Sequence, residues 1–227
     1  MPAHRSQAQA ERVVLVTRAT QLEALKAEFA TVPQARFYLE HAGQDFAPIQ
    51  AAHDRYQQAL EGLRQALPEG LKLQQIDRDM LPSFSFAAGD IVVALGQDGL
   101  VSNTAKYLDG QPLIGVNPDP ELYDGILLPF RAETAGQPLA ACLRGRARLR
   151  EVSMGRVSTR DGQELLAFND FFIGADSHVS ARYEIEWRDR AEFQSSSGII
   201  VSTGAGSTGW LRSVYQGAAG LAAALGQ

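Results

Sequence analysis

The residues best suited to chemistry stand in short polar breaks between apolar runs. Gly96-Gln97-Asp98-Gly99 follows the apolar run Ile91–Leu95 and precedes a helical pattern that leads to a second apolar run, Leu113–Val116. Glycines let a backbone approach a phosphate closely, and the N–H groups and positive end of a starting helix favour an anion. Asp98, a carboxylate at that spot, would repel phosphate unless it held Mg²⁺ or accepted a proton from a hydroxyl nucleophile. It has a plainer alternative, as a helix cap. Gly/Ser/Thr residues dominate Ser195–Gly209, which ends Ser202-Thr203-Gly204-Ala205-Gly206-Ser207-Thr208-Gly209 and contains G-x-G-x-x-G between a strand pattern and a helix pattern. A dinucleotide fingerprint of that form needs a complete βαβ unit and an acidic residue about 20 positions further on. No Asp or Glu follows Glu192, so that reading fails. What remains is a loop that offers hydroxyls and N–H groups to a polar ligand, or a flexible helix start.

Phe168-Asn169-Asp170-Phe171-Phe172 places an Asn-Asp pair among aromatics. Asparagine has donors and acceptors and suits a base or ribose edge, while a turn or bulge is the plainer alternative. Arg144, Arg146, Arg148 and Arg150 recur at period two, which in a strand puts them on one face. That face would meet a polyanion or an acidic partner, or else be a solvated edge.

The surrounding pattern says what must position these residues. Val13–Thr17 reads as a buried strand. Thr20 and Glu23 make a capping box before Leu22, Leu25 and Phe29. Residues 31–45 read as polar and irregular. Pro48 leads a helix with Ile49, Tyr56, Leu60, Leu63 and Leu67 on one face, ended by Pro68 and Gly70. Leu71–Ile76 reads as a strand and 77–89 as a loop or short helix, and 90–117 is a strand–glycine turn–helix–strand unit. Alternating elements predict a mostly parallel α/β sheet. Near Ala140 strands take over, at Leu143–Ser153, Arg156–Ser158, Glu164–Ile173, Ala181–Trp187 and Gly198–Ser202, with Asp161-Gly162 as a hairpin turn. A helix with Leu211, Val214, Tyr215, Ala218, Leu221 and Leu225 on one face follows. The expected organisation is a flexible N-terminus over 1–12, an α/β nucleotide-binding domain over 13–139 and a β-rich domain over 140–227. The boundary is expected at AGQPLAA, around 136–142.

A chain of 227 residues with 45% apolar and 21% charged residues is ordinary for a soluble globular protein. Its net charge of −5 argues against a generic nucleic-acid binder. Cys142 is the single cysteine, so no disulfide framework or thiolate zinc site is expected, and His4, His41, His53 and His178 lack metal-ligand spacing. No apolar run approaches the roughly 20 residues that span a bilayer, and the leader has no apolar signal core. A cytoplasmic protein with no membrane partner is the expectation.

Taken in order, these stretches resemble the NAD kinase family. Its members have an aspartate-glycine turn (usually Gly-Gly-Asp-Gly-Thr), an Ile-Gly-Val-Asn-like strand, an Asn-Glu or Asn-Asp pair and a Gly-Ser-Thr loop. The counterparts here are Gly96-Gln97-Asp98-Gly99-Leu100, Ile114-Gly115-Val116-Asn117, Asn169-Asp170 and Ser202–Thr208. Asn117-Pro118-Asp119-Pro120-Glu121 and Ser196-Ser197-Gly198 look most like the divergent branch that includes the mitochondrial NAD kinases of animals. The resemblance runs from Val13 to Gly209. It implies an α/β domain and a β-rich domain with NAD in the cleft between them. It also implies phosphoryl transfer from ATP or another phosphoryl donor, with Mg²⁺ on the donor phosphates, to the adenosine ribose 2′-hydroxyl of NAD. In that reading Asp98 takes the hydroxyl proton, and Gly96, Gln97 and Gly99 form the phosphate turn. Asn169 and Asp170 hold the nucleoside with Asn117 nearby, and Thr203, Gly206, Ser207 and Thr208 line the NAD pocket. The sequence departs from the family at Gln97, where glycine is usual, and at Leu100, where threonine is usual. It also stops at Gln227, where the family continues with further strands, so an incomplete second domain and a homodimer that covers its edges are expected. The alternatives are an NAD-binding protein without phosphoryl transfer and a kinase of another small molecule, a lipid or a sugar.

Overall fold

The computed structural model describes residues 12–68 and 70–226. The expected flexible N-terminus falls on residues 1–11, outside the described residues, and on Arg12, which already belongs to the first strand.

Strands β1 (Arg12–Thr17), β2 (Lys72–Asp77), β3 (Asp90–Leu95), β4 (Leu113–Asn117) and the short β5 (Phe130–Arg131) form one sheet in the order β2-β1-β3-β4-β5. Every pairing in it is parallel. Helices α1 (Gln21–Phe29), α2 (Val32–His41), α3 (Ala47–Ala66), α4 (Asp98–Ala105) and α5 (Gly136–Leu143) accompany it. The β-branched runs of β1 and β3 are buried almost throughout, as a strand covered on both faces must be. Their side chains alternate between two apolar layers. Val13, Leu15, Ile91, Val93, Leu95, Ile114 and Val116 meet Tyr56, Ala59, Leu60 and Leu63 of α3. Val14, Val16, Val92 and Ala94 meet Leu100 and Val101 of α4.

One expectation about this part is corrected. Residues 31–45 contain α2: Thr31 caps it by accepting the Gln34 N–H (3.4 Å), and Ala35 and Leu39 pack with Leu22 and Phe46. The stripe was hard to read because Phe37 and Tyr38 interrupt it with exposed rings. AGQPLAA, where the boundary is expected, lies in and next to α5, whose Leu139 is buried in the layer shared with α3.

The chain forms two compact units, one that ends at Leu149 and one that begins at Arg150. An α/β domain with a parallel sheet is therefore followed by a smaller β-rich region. The second contains β6 (Gly155–Ser158), β7 (Glu164–Ala167), β8 (Asp170–Gly174), β9 (Ala181–Trp187), β10 (Arg190–Ser196), β11 (Gly198–Ser202) and helix α6 (Trp210–Ala224). Its ladders β6-β7, β8-β11 and β9-β10 are antiparallel. The β6-β7 hairpin turns at Asp161-Gly162, with Gly162 at φ +86°. The run Glu164–Ile173, expected as one strand, is two strands broken at Phe168-Asn169. Polar β10 escaped the sequence pattern and is specified by its register with β9. Leu143–Ser153 contains no strand, so Arg144, Arg146, Arg148 and Arg150 share no strand face. Nothing there pairs the run into a ladder, and period-two spacing alone does not make one.

Candidate functional site

The chain passes from β1 to β2 on one side of the sheet and from β3 to β4 on the other, so the strand order reverses between β1 and β3. A crevice at the carboxyl ends of such a pair is where open α/β sheets bind ligands. Arg18 directly follows β1, and Gly96-Gln97-Asp98 directly follows β3. Tyr56 of α3 ties the two ends together. Its hydroxyl accepts the Arg18 N–H (3.3 Å) and donates to the Leu95 carbonyl (3.1 Å). Burial pushes this phenol up to about 12, against the opposing pull of the Arg18 backbone hydrogen bond.

Gly96 continues the ladder by donating its N–H to the Val116 carbonyl (3.2 Å). A Cβ there would stand 2.9 Å from Leu100 Cδ2, so a larger residue would require that leucine to shift, while Arg18 Cδ at 3.5 Å would be in ordinary contact. Gln97 is the cap residue of α4 without a side-chain capping bond; its Oε1 instead accepts from Arg18 Nη1. Its carbonyl accepts the Leu100 N–H (2.8 Å). At Gly99 a Cβ would meet nothing within 4 Å, so there is open space over the first turn of α4.

Asp98 opens α4 and is half-buried. Its Oδ1 accepts the Leu127 N–H at 2.5 Å, while Oδ2 has no hydrogen-bond partner among the described residues. Leu127 is placed by β4, because Gly115 lets the loop lie on the strand: a Cβ on Gly115 would stand 2.1 Å from the Leu127 carbonyl oxygen. Asn117 shapes the same loop. It donates from Nδ2 to the Tyr123 carbonyl (3.0 Å) and accepts the Asp119 N–H on Oδ1 (2.9 Å). Asp119, buried, takes Arg55 Nε at 2.6 Å, and this hydrogen bond raises the Arg55 guanidinium above its ordinary value. Asn117 thus anchors the loop that orients Asp98.

In the second unit the Asn-Asp pair and the Gly-Ser-Thr loop come together. Thr203 donates its N–H to the Asn169 carbonyl (2.8 Å) and its hydroxyl to the Phe168 carbonyl (2.6 Å). The same hydroxyl accepts the Gly206 N–H (3.1 Å). A Cβ on Gly206 would stand 2.2 Å from the Asn169 oxygen, so the loop closes on the pair only with glycine there. Ser202 lies opposite Asp170 across β8 and β11. Asp170 Oδ1 is buried with no hydrogen-bond partner among the described residues, an arrangement that is costly unless a donor arrives. Ser207 donates to the Gly204 carbonyl (2.8 Å), and both Ser207 and Thr208 are exposed.

Asp98, Gly96, Gln97, Gly99 and Asn117 thus cluster in the first unit, and Asn169, Asp170, Thr203, Gly206, Ser207 and Thr208 in the second. Sequence reasoning missed Arg18, Tyr56, Arg55 and Asp119. Arg18 carries one sequence signal, its place directly after a buried strand, and Asp119 another, its place in Asn117-Pro118-Asp119; the roles of Tyr56 and Arg55 become visible only when α3 packs on the sheet. Among the described residues no group of three or more His, Cys, Asp or Glu side chains could hold a metal ion, and no helix is long and apolar enough to cross a membrane. A search of protein-family models finds no match to this chain, and a search of curated proteins finds none.

Proposed function

We propose that the chain is an NAD kinase-like phosphotransferase, which moves the terminal phosphoryl group of ATP to the adenosine ribose 2′-hydroxyl of NAD and releases ADP and NADP. The observation that carries this reading is Asp98: it sits at the carboxyl edge of the sheet's switch point with Oδ1 held by the Leu127 N–H and Oδ2 without a hydrogen-bond partner among the described residues. Oδ2 then takes the hydroxyl proton as the ribose oxygen attacks phosphorus. The turn Gly96-Gln97-Asp98-Gly99 receives the donor phosphates. Asn169 and Asp170 hold the nucleoside, with a ribose hydroxyl or base N–H as the donor that the orphaned Asp170 Oδ1 lacks. Thr203, Gly206, Ser207 and Thr208, in the loop that closes on Asn169, offer the same ligand hydroxyls and N–H groups. Mg²⁺ bound to the donor's phosphates would supply charge neutralisation.

NADP formation from purified protein, NAD, ATP and Mg²⁺ tests the reading. Asp98→Asn should lower turnover by roughly 10²–10⁴ while NAD affinity changes little. Wild-type turnover in that variant would remove Asp98 as the base. The second reading, an NAD-binding protein without transfer, is favoured by Leu100, which stands buried where the family has a threonine hydroxyl. Tight NAD binding with no NADP formed by the wild type would select it. Phosphorylation of a lipid or sugar without NAD binding would select the small-molecule kinase. The reading includes a homodimer, supported by the exposed apolar residues Trp210, Val214, Tyr215, Leu221 and Leu225 on and beside α6. Light scattering that finds only monomer at micromolar concentration would remove that part.

A further inference from the structure

We infer that Arg18 is the phosphate-binding cation of the first unit and that Gln97 is the residue that positions it, so that glutamine in the turn builds the anion site instead of obstructing it. The inference rests on the reading of Gly96–Gly99 as a phosphate turn and concerns the di- or triphosphate chain of a nucleotide.

A triphosphate at this turn meets a local charge problem. Asp98 contributes a negative charge, and α4, with eight residues, has only a short run of peptide dipoles to offset it. A cation must come from the side chains at the carboxyl edge of the sheet. Arg78, after β2, pairs with Asp79 at 3.8 Å, and Arg55 is engaged by buried Asp119 at 2.6 Å. Arg131 lies on β5, separated from β1 by β3 and β4. Arg18 alone among these follows a strand at the switch point, and no carboxylate among the described residues lies within ion-pair distance of it.

What holds Arg18 is equally informative. Its backbone N–H is tied to the Tyr56 hydroxyl (3.3 Å) and its Nη1 donates to Gln97 Oε1, while Nε reaches the Ala19 carbonyl only at 3.5 Å. The remaining donors of the guanidinium fork have no protein acceptor among the described residues. An amide oxygen orients the fork without neutralising it. A carboxylate in its place would hold Arg18 just as well and cancel the charge a phosphate needs. A glycine would leave the charge but release the side chain, and ordering a long side chain at binding weakens affinity. Glutamine satisfies both demands.

The test is calorimetric titration of the full chain with inorganic tripolyphosphate and, separately, with ATP, at two salt concentrations, with thermal melts to establish that each variant folds. Arg18→Ala should weaken both ligands by roughly ten- to hundredfold, the range of a charge-assisted hydrogen bond to phosphate. Gln97→Glu should lose about as much, by pairing with Arg18, and supports the inference independently if Arg18→Ala does not fold. Arg18→Lys should fall between, because an ammonium retains the charge but not the fork. Gln97→Gly should bind several-fold more weakly. Tighter binding by Gln97→Gly, or unchanged affinity in a folded Arg18→Ala or Gln97→Glu, overturns the inference. If those variants bind normally while Asp98→Asn still abolishes NADP formation, the kinase reading stands without it. A wild type that binds neither tripolyphosphate nor ATP removes both.

Discussion

The hydroxyl of Tyr56 links two strand ends that the backbone ladder leaves free, and its ionisation gives the site a measurable alkaline limit. The folded chain keeps this phenol neutral up to about 12, whereas an unfolded tyrosine ionises near 10. The stabilisation is fully present below pH 10 and declines as pH rises from there to about 12, by about 2–3 kcal/mol in all. Urea melts across that range should show a steeper loss in the wild type than in Tyr56→Phe; parallel curves would refute it. At neutral pH Tyr56→Phe should itself cost about 1–3 kcal/mol, because Leu95 and Arg18 backbone groups lose a buried partner. Nothing in the apolar stripe of α3 distinguishes Tyr56 from its leucine neighbours. Its role follows from which backbone groups lie opposite it once the helix has docked.

Glycines show how elements transmit precision to the site, with opposite expected signs at Gly115 and Gly99. Gly115→Ala would drive a methyl onto the Leu127 carbonyl, which no side-chain rotation relieves. It should cost about 1–3 kcal/mol or more and pull the Leu127 N–H away from Asp98. The melting temperature should therefore fall, and with it NADP formation if the proposed activity holds. Gly99→Ala meets open space within α4 and should raise stability by about 0.5–1 kcal/mol, since alanine is the better helix former. If phosphate approaches the turn, the same change lowers ATP affinity. A stabilised variant with wild-type affinity would move the ligand elsewhere. Strand–turn–helix–strand over 90–117 was legible because the apolar run, glycine turn and helical spacing coincide. The helix over 136–143 was not, because AGQPLAA is short and its Leu139 gains meaning only against α3.

Across the whole molecule, the two units are built to different standards of packing. The first has apolar layers on both faces of its sheet. Among the described residues the second has buried apolar side chains only at Ala167 and Phe168, with Phe172, Ile185, Trp187, Phe193 and Trp210 exposed. Regions with few buried apolar contacts open at lower cost. Both tryptophans, Trp187 and Trp210, lie in the second unit, so their fluorescence reports on it separately. The fluorescence transition should precede the far-UV circular dichroism transition in urea, and saturating NAD should move it upward if the loop at Asn169 and Thr203 binds NAD. A single coincident transition would show that the units unfold together.

Periodicity and turn chemistry alone determine that β-branched runs become buried parallel strands, that Gly96–Gly99 breaks between strand and helix, and that Asp161-Gly162 turns a hairpin. These depend on neighbours in sequence, which a linear pattern records. Tertiary structure decided that the order reverses between β1 and β3, that Arg18 meets Gln97 across that reversal, and that Thr203 closes on Asn169. It also denied the arginine run its strand. Each of these depends on which distant segment lies alongside, and strand pairing and helix docking choose that partner by shape and burial summed over the whole unit.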